Sequence, residues 1–254
     1  VTERLRAADV FCGHGYESIH DEAVALILGA ARLPQAQSYD LLAAPFPTGA
    51  RRRLDGLLQG RCEERVPVAY LLGEAWLAGI CFACDDRALV PRSPIAHLLK
   101  EGCRPWWPET APPAIVIDLC CGGGSLGIIA AHAFPSAAVF LSDIDQRALA
   151  LAQENIKRCL TEETVRCVQA HLLGSFATGC VDLIVANPPY VSGTEMGQLP
   201  PEYEHEPRGA LQADEEGVAL AVELLKDAAR VLSDRGLLIL EVGKSAEALE
   251  HRLP

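Results

Sequence analysis

The sequence predicts an α/β protein with a doubly wound, mainly parallel sheet, preceded by a small helical domain and a linking hairpin. Three observations carry this reading. After residue 113, short apolar runs alternate with helical patterns, the texture of a parallel sheet covered on both faces. A glycine-rich turn joins the first of those runs to the helix that follows. Upstream, the apolar residues instead recur at helical spacing.

Taken in order, Ile19, Ala23, Leu26, Ile27 and Ala30 share one helical face within Tyr16–Leu33, and Pro34 closes the segment. A second helical pattern runs from Ala50 to about Leu58, so residues 1–72 form the helical domain. Trp76 to Val90 reads as a hairpin around the turn signal Asp85-Asp86. Pro91-Arg92-Ser93-Pro94 breaks it, Ile95 to Gly102 reads as a short helix, and Trp106-Trp107-Pro108 with Ala111-Pro112-Pro113 makes a proline-rich joint. Residues 73–113 are therefore hairpin and linker, and residues 114–254 the sheet domain. Its strands are Ala114–Leu119, Val139–Ser142, Val165–Gln169, Val181–Ala186 and Gly236–Val242, with helices near 125–133, 146–159 and 215–232.

Half of the 254 residues are hydrophobic and 22% are charged, as expected of a soluble globular protein. No apolar run approaches the ~20 residues of a membrane span, and the start, VTERLRAADV, lacks the apolar stretch of a secretory signal. A cytoplasmic location without membrane contact is expected. The 10 cysteines are scattered and read as reduced, buried thiols. Cys81 and Cys84 form a Cys-x-x-Cys without a second pair at zinc spacing, so no metal is expected. Net charge is −12, with the excess acid concentrated after residue 110. Such a surface repels phosphate backbones, which argues against stable DNA binding, and attracts basic partners. Arg51-Arg52-Arg53 is the exception and reads as a solvated helix face.

The first sheet strand runs into Asp118-Leu119-Cys120-Cys121-Gly122-Gly123-Gly124-Ser125-Leu126-Gly127. Glycines 122, 124 and 127 satisfy G-x-G-x-x-G, where a tight turn beside a ligand leaves no room for a Cβ. Asp143 ends the second strand, where a carboxylate accepts hydrogen bonds from ribose hydroxyls. Asp145 is the better placed residue to cap the next helix. To this point a nicotinamide enzyme and an adenosyl-cofactor enzyme fit equally. Asp118, just ahead of the glycines, would repel a pyrophosphate but can orient the cationic end of S-adenosyl-L-methionine. The fourth strand ends in Asn187-Pro188-Pro189-Tyr190. There the Asn187 side-chain oxygen and the Pro188 carbonyl can each accept one N–H of a planar amine, the prolines fix the backbone, and Tyr190 supplies a planar wall.

This constellation resembles the class I methyltransferases that modify planar NH2 groups, and within them the HemK/PrmB family of protein-(glutamine-N5) methyltransferases. Phe11-Cys12-Gly13-His14-Gly15, Asp21-Glu22-Ala23, Val66 to Leu71, Glu74-Ala75-Trp76, Val90 to Ala96 and Pro201 to Pro207 are similar to the branch that acts on a ribosomal protein. The release-factor branch would read Pro-Arg-Pro-Asp-Thr in place of Pro91-Arg92-Ser93-Pro94-Ile95. The resemblance implies a Rossmann-like fold and cofactor binding by Asp118, Cys120, Cys121, Gly122, Gly123, Gly124, Asp143, His171, Leu172 and Asn187. Asn187 to Tyr190 would receive a glutamine of a basic large-subunit ribosomal protein, recognised in part by the helical domain. Competing readings are methylation of an adenine amino group and a binding module that docks on a ribosomal protein without modifying it.

Three departures from the family pattern stand out. His171, beside Leu172, sits where the family usually has an aspartate that accepts the adenine amino hydrogen. A neutral imidazole can substitute for it and a protonated one cannot, so cofactor affinity is expected to fall as the histidine protonates; on an equal footing stands the reading in which His171 points to solvent and the Leu172 region packs on adenine. His97 stands for a usual glutamate, and Gly123 for a serine or threonine. Finally, the family has seven strands in the order 3-2-1-4-5-7-6 and only five are read here, so strands six and seven are expected to be missing. Strand 236–242 would then expose an apolar edge through which copies of the chain can associate.

Overall fold

The computed structural model describes residues 1–35, 46–107, 111–213 and 217–252. Its N-terminal part packs helices α1 (Thr2–Ala7), α2 (Ile19–Ala31), α3 (Ala50–Cys62) and α4 (Val68–Leu72) around Leu5, Leu26, Leu58 and Val68. Helix α2 starts where the Ser18 hydroxyl accepts the Asp21 N–H, satisfying one of the orphan donors of the first turn. Arg53 is drawn out of the basic cluster, its Nε donating to the Ala30 carbonyl at 2.7 Å. Only Arg51 and Arg52 remain exposed.

Strands β1 (Glu74–Leu77) and β2 (Ile80–Ala83) pair antiparallel, and the hairpin turns at Ala78-Gly79 rather than at Asp85-Asp86. Both turn residues are left-handed, with φ of 52° and 88°, as the tightest hairpin turns demand. An alanine seldom takes that conformation, so the sequence hides the true turn while Asp85-Asp86 advertises a false one. Asp85 serves instead as the partner of Arg87. A short helix, α5 (Ile95–Lys100), then leads to the sheet.

The sheet has strands β3 (Ile115–Leu119), β4 (Ala138–Asp143), β5 (Val165–Gln169), β6 (Val181–Ala186) and β7 (Leu232–Leu240). They are all parallel, in the order β5-β4-β3-β6-β7. Alternation along the strands supplies both faces with core residues. Val116, Val139, Leu141, Leu183 and Val185 pack under α5, α6 (Ser125–Ala133) and α7 (Gln146–Arg158). On the other face Ile117, Leu119, Ile184 and Ala186 meet Leu224, Ala228 and Val231 of α8 (Ala219–Val231). Each buried Val, Leu or Ile side chain among them contributes about 1.5–3 kcal/mol. Helix α9 (Ala246–Arg252) follows β7 and packs Leu249 against Val218 and Ala221.

Seven strands are thus present among the described residues, five in the parallel sheet and two in the hairpin, and the expectation of two missing strands is not borne out. Strand β7 begins at Leu232, ahead of the expected Gly236, through a register shift opposite Val181 and Leu183 that absorbs the turn-like Ser233-Asp234-Arg235-Gly236. The expected helix from residue 215 is described from Ala219 onward. No helix among the described residues is long and apolar enough to cross a membrane.

A buried ionic network ties the helical domain to the sheet domain. Arg61, fully buried in α3, donates to both carboxylate oxygens of Glu22, to the Phe11 carbonyl and, at 2.9 Å, to Glu202. Glu202 belongs to the 3-10 turn Pro201–His205, which reaches across from the far end of the chain.

Candidate active site

The carboxyl ends of β3, β4 and β6 open onto one cleft of about 460 Å³, in the size range of small-molecule sites. Asp118, Cys120, Cys121, Gly122, Gly123, Asp143, His171, Leu172 and Asn187 to Tyr190 all line it. The sheet brings them together because each lies at or just beyond the end of a parallel strand, at the point where strand order reverses.

At one end of the cleft, the chain leaves β3 through Cys120 (φ 56°) and Gly122 (φ 52°), both left-handed. A non-glycine residue there is strained, and such strain persists only where the surroundings enforce it. Enforcement comes from β4, where the Cys121 N–H donates to the Ser142 carbonyl at 3.1 Å and the Gly122 N–H to Asp143 Oδ2 at 2.9 Å. Asp143 Oδ1 accepts the Asp145 N–H at 2.9 Å, which leaves lone pairs on both oxygens for further donors. Burial raises the Asp143 carboxyl against those backbone bonds. Asp145 caps α7, as expected, by accepting the Arg147 N–H.

Gly124 does not share in the cleft lining. Its φ is 79°, and a Cβ there would fall 2.6 Å from Leu141 Cδ1, so this glycine serves the close packing of α6 against β4. Gly127 does the same, pressed between Leu141 and Asp118. Asp118 is buried beneath the turn, its Oδ2 accepting the Gly127 N–H at 2.7 Å. Burial, reduced by that bond and reinforced by the charge of Asp143, pushes its carboxyl up to about 7. At Gly123 the nearest side-chain atom to an added Cβ is 3.4 Å away, so a serine would fit there. His171 stands on the rim, exposed, 3.9 Å from Glu223, while Leu172 is buried below it with φ 45°.

At the other end, Asn187-Pro188-Pro189 continue from β6 into Tyr190, which is half-buried. Among the described residues no side chain hydrogen-bonds the Asn187 amide, and Asn187 lines the cleft together with Gly122 and Tyr190. The Tyr190 hydroxyl donates to Glu241 Oε1 at 3.2 Å, and Ser93 Oγ donates to Glu241 Oε2 at 2.5 Å. Burial, then the charge of Glu241, raises the Tyr190 phenol to about 12. Beyond it Arg92 reaches Glu206 with two nitrogens, one at 2.7 Å, and lies over the Tyr203 ring. Burial would raise the Glu206 carboxyl, but His14 and Arg92 outweigh it and bring it down to about 2.

Sequence reasoning missed Ser93, Glu206, Glu241 and the buried Asn155. Asn155 bonds the Ala83 amide and carbonyl and the Gly123 carbonyl, and so ties hairpin, α7 and glycine turn together. The strand-end rule that selects Asp143 and Asn187 reaches Glu241 only once β7 is seen to end at Leu240, because the expected strand 236–242 puts Glu241 inside it. The others are joined only by long-range folding. His97 is exposed on α5, and Cys81, at the hairpin, meets Arg158 and Glu74 rather than Cys84.

Residues 109–199 match the methyltransferase small domain family. Among solved structures, the hMettl16 catalytic domain in complex with the MAT2A 3'UTR hairpin 6 superposes with a TM-score of 0.52 at 12% identity. That match covers 80% of this chain and 72% of the other, a likeness of fold alone. Sequence relatives are nearer. The ribosomal protein uL3 glutamine methyltransferase of Bordetella pertussis is 41% identical over 251 residues, 99% of this chain and 84% of the relative. That of Xanthomonas campestris is 42% identical over 253 residues, 100% and 82%. That of Francisella tularensis is 36% identical over 250 residues, 98% and 80%. With such identity along nearly its whole length, this chain belongs to the family of the ribosomal protein uL3 glutamine methyltransferases.

Proposed function

We propose that the chain transfers a methyl group from S-adenosyl-L-methionine to the side-chain amide nitrogen (N5) of a glutamine in the large-subunit ribosomal protein uL3. The observation that carries this reading is the unpartnered Asn187 amide in one cleft with the glycine turn and Asp143. In this scheme the backbone at Gly122 and its neighbours approaches and holds the cofactor, Asp143 accepts from the ribose hydroxyls, and Asp118 attracts the cationic amino-acid end. The fit rests on the left-handed turn and on the lone pairs left on Asp143. When bound, the cofactor supplies an electrophilic methyl on a sulfonium.

The chain's own work lies in positioning. An amide nitrogen is a poor nucleophile because its lone pair is delocalised. If Asn187 Oδ1 and the Pro188 carbonyl each accept one of its N–H groups, the carboxamide is held with that lone pair directed along the line of attack. Tyr190 packs against the carboxamide and excludes water. Transfer of the methyl to nitrogen would leave the sulfur as a neutral thioether and the nitrogen acidic enough to lose its proton to water, so this chain would need to supply no general base. The net charge of −12 suits a basic ribosomal protein.

Mass spectrometry of uL3 after incubation with enzyme and cofactor tests the reading, with an adenine-containing duplex as the parallel substrate. A gain of about 14 Da (one CH2) on a uL3 glutamine is expected, since the geometry favours an amide acceptor. Label on the duplex and none on uL3 would overturn it.

A further inference from the structure

The acceptor end of the cleft depends on a segment that the scheme above does not use. Immediately after β7, residues Glu241 to Ser245 grip Tyr190 on several sides. The Glu241 carboxylate accepts the Tyr190 hydroxyl at 3.2 Å, and Ser245 Oγ donates to the Tyr190 carbonyl at 3.3 Å. Gly243, left-handed at φ 52°, lies against the ring. A Cβ on it would fall 2.5 Å from Tyr190 Cε2 and 2.6 Å from Cδ2. Gly217 (φ 73°) presses on the Tyr190 carbonyl from the start of α8, again without room for a side chain. Sheet register sets where the grip sits, because the Glu241 N–H donates to the Ala186 carbonyl at 2.9 Å, one residue before Asn187. The second Glu241 oxygen accepts from Ser93 at 2.5 Å, which draws the linker onto the same carboxylate.

From this geometry we infer that Glu241, with Gly243 and Ser245, is a positioning device for methyl transfer. One carboxylate fixes the plane of Tyr190 and the placing of Ser93, and so sets the width of the slot that receives the acceptor amide. Glu241 touches no reacting atom and acts through Tyr190. The phenol's raised titration fits this role, for a hydroxyl committed to a carboxylate is a strut and not a proton carrier. The inference rests on the proposed function in assigning Tyr190 to the acceptor subsite.

The test uses the full chain with Glu241→Ala, Glu241→Gln, Gly243→Ala and Tyr190→Phe. Glu241→Ala and Gly243→Ala are expected to lower kcat on uL3 by about 100-fold, the scale of an ångström of misplacement. S-adenosylhomocysteine affinity by calorimetry should stay unchanged. Glu241→Gln, whose amide can accept from Tyr190 and donate to Ser93, restores most of the rate. Adding Tyr190→Phe to Glu241→Ala costs no more than Glu241→Ala alone. A second readout needs no activity: hydrogen exchange at the Tyr190 and Val191 amides speeds up in Glu241→Ala and Gly243→Ala while the denaturant midpoint holds. The device is refuted if exchange and kcat are unmoved, or if the losses of Glu241→Ala and Tyr190→Phe simply add. A wild-type enzyme that methylates no glutamine sinks the functional reading, and exchange then decides the clamp by itself.

Discussion

The two ends of the cleft are built in opposite ways. At the cofactor end, one stretch from Asp118 to Leu126 supplies most of the lining, and its neighbour β4 supplies Asp143. At the acceptor end, Asn187 to Tyr190 are surrounded by Ser93 from the linker, by Pro207 to Leu211 and by Glu241 from beyond β7. The backing of that wall is ionic and reaches into the helical domain, through Glu206 to His14 and through Glu202 to Arg61. A local turn tolerates change elsewhere, because its strain is enforced by the adjacent strand. An assembled wall fails when any of several distant segments shifts.

Perturbations can break or sharpen this contrast. The largest effect is expected from Arg61→Ala, which strands the buried Glu22 carboxylate and leaves Glu202 with Arg65 as its remaining cation, and should cost about 3–5 kcal/mol in denaturant unfolding. It would also release the Pro201–His205 turn and impair the acceptor end before the cofactor end. The companion prediction concerns acid. Glu206 is depressed from its ordinary 4.5 to about 2, so its contribution is present above pH 4.5 and is lost as pH falls toward 2. Acid titration followed by the Trp76 environment should show the helical domain loosening in that window.

Next in size is Asn187→Ala, which removes one of two acceptors and should lower kcat by about 100- to 1,000-fold, with S-adenosylhomocysteine binding intact by calorimetry. Asp143→Ala is its mirror image, predicted to weaken cofactor affinity by about 2–3 kcal/mol through two lost charged hydrogen bonds. If Asn187→Ala also weakened the cofactor, the two ends would not be separable as described.

The smallest effect concerns Asp118. Asp118 is raised to about 7, so at lower pH it is neutral and attracts no ammonium group. Affinity for S-adenosylhomocysteine should therefore fall by about tenfold per unit at most as pH drops below 7. Methylthioadenosine, which lacks the amino-acid end, should show no such fall. Dependence that survives Asp118→Asn but vanishes in His171→Ala would assign it to the rim histidine instead.

The same contrast explains what could be read from the chain. The strand-helix alternation, the glycine turn, Asp143 and the proline pair were legible because each is a local pattern whose physics is complete within about ten residues. Gly124 shows the limit of such patterns, since spacing identifies a glycine but cannot say whether ligand or Leu141 fills the space beside it. The hairpin was misplaced because Ala78 takes a conformation its side chain disfavours, held there by strand pairing. Glu206 and Ser93 were invisible for a different reason: a buried carboxylate and a linker hydroxyl acquire meaning only when Arg92 and Glu241 fold against them.

The most direct test of the central claim is a crystal structure of the enzyme with S-adenosylhomocysteine and a glutamine-containing uL3 peptide. The account predicts the carboxamide nitrogen within about 2.7–3.2 Å of both Asn187 Oδ1 and the Pro188 carbonyl oxygen, alongside the Tyr190 ring. A carboxamide bound elsewhere, or an Asn187 side chain turned out of the cleft, would contradict it.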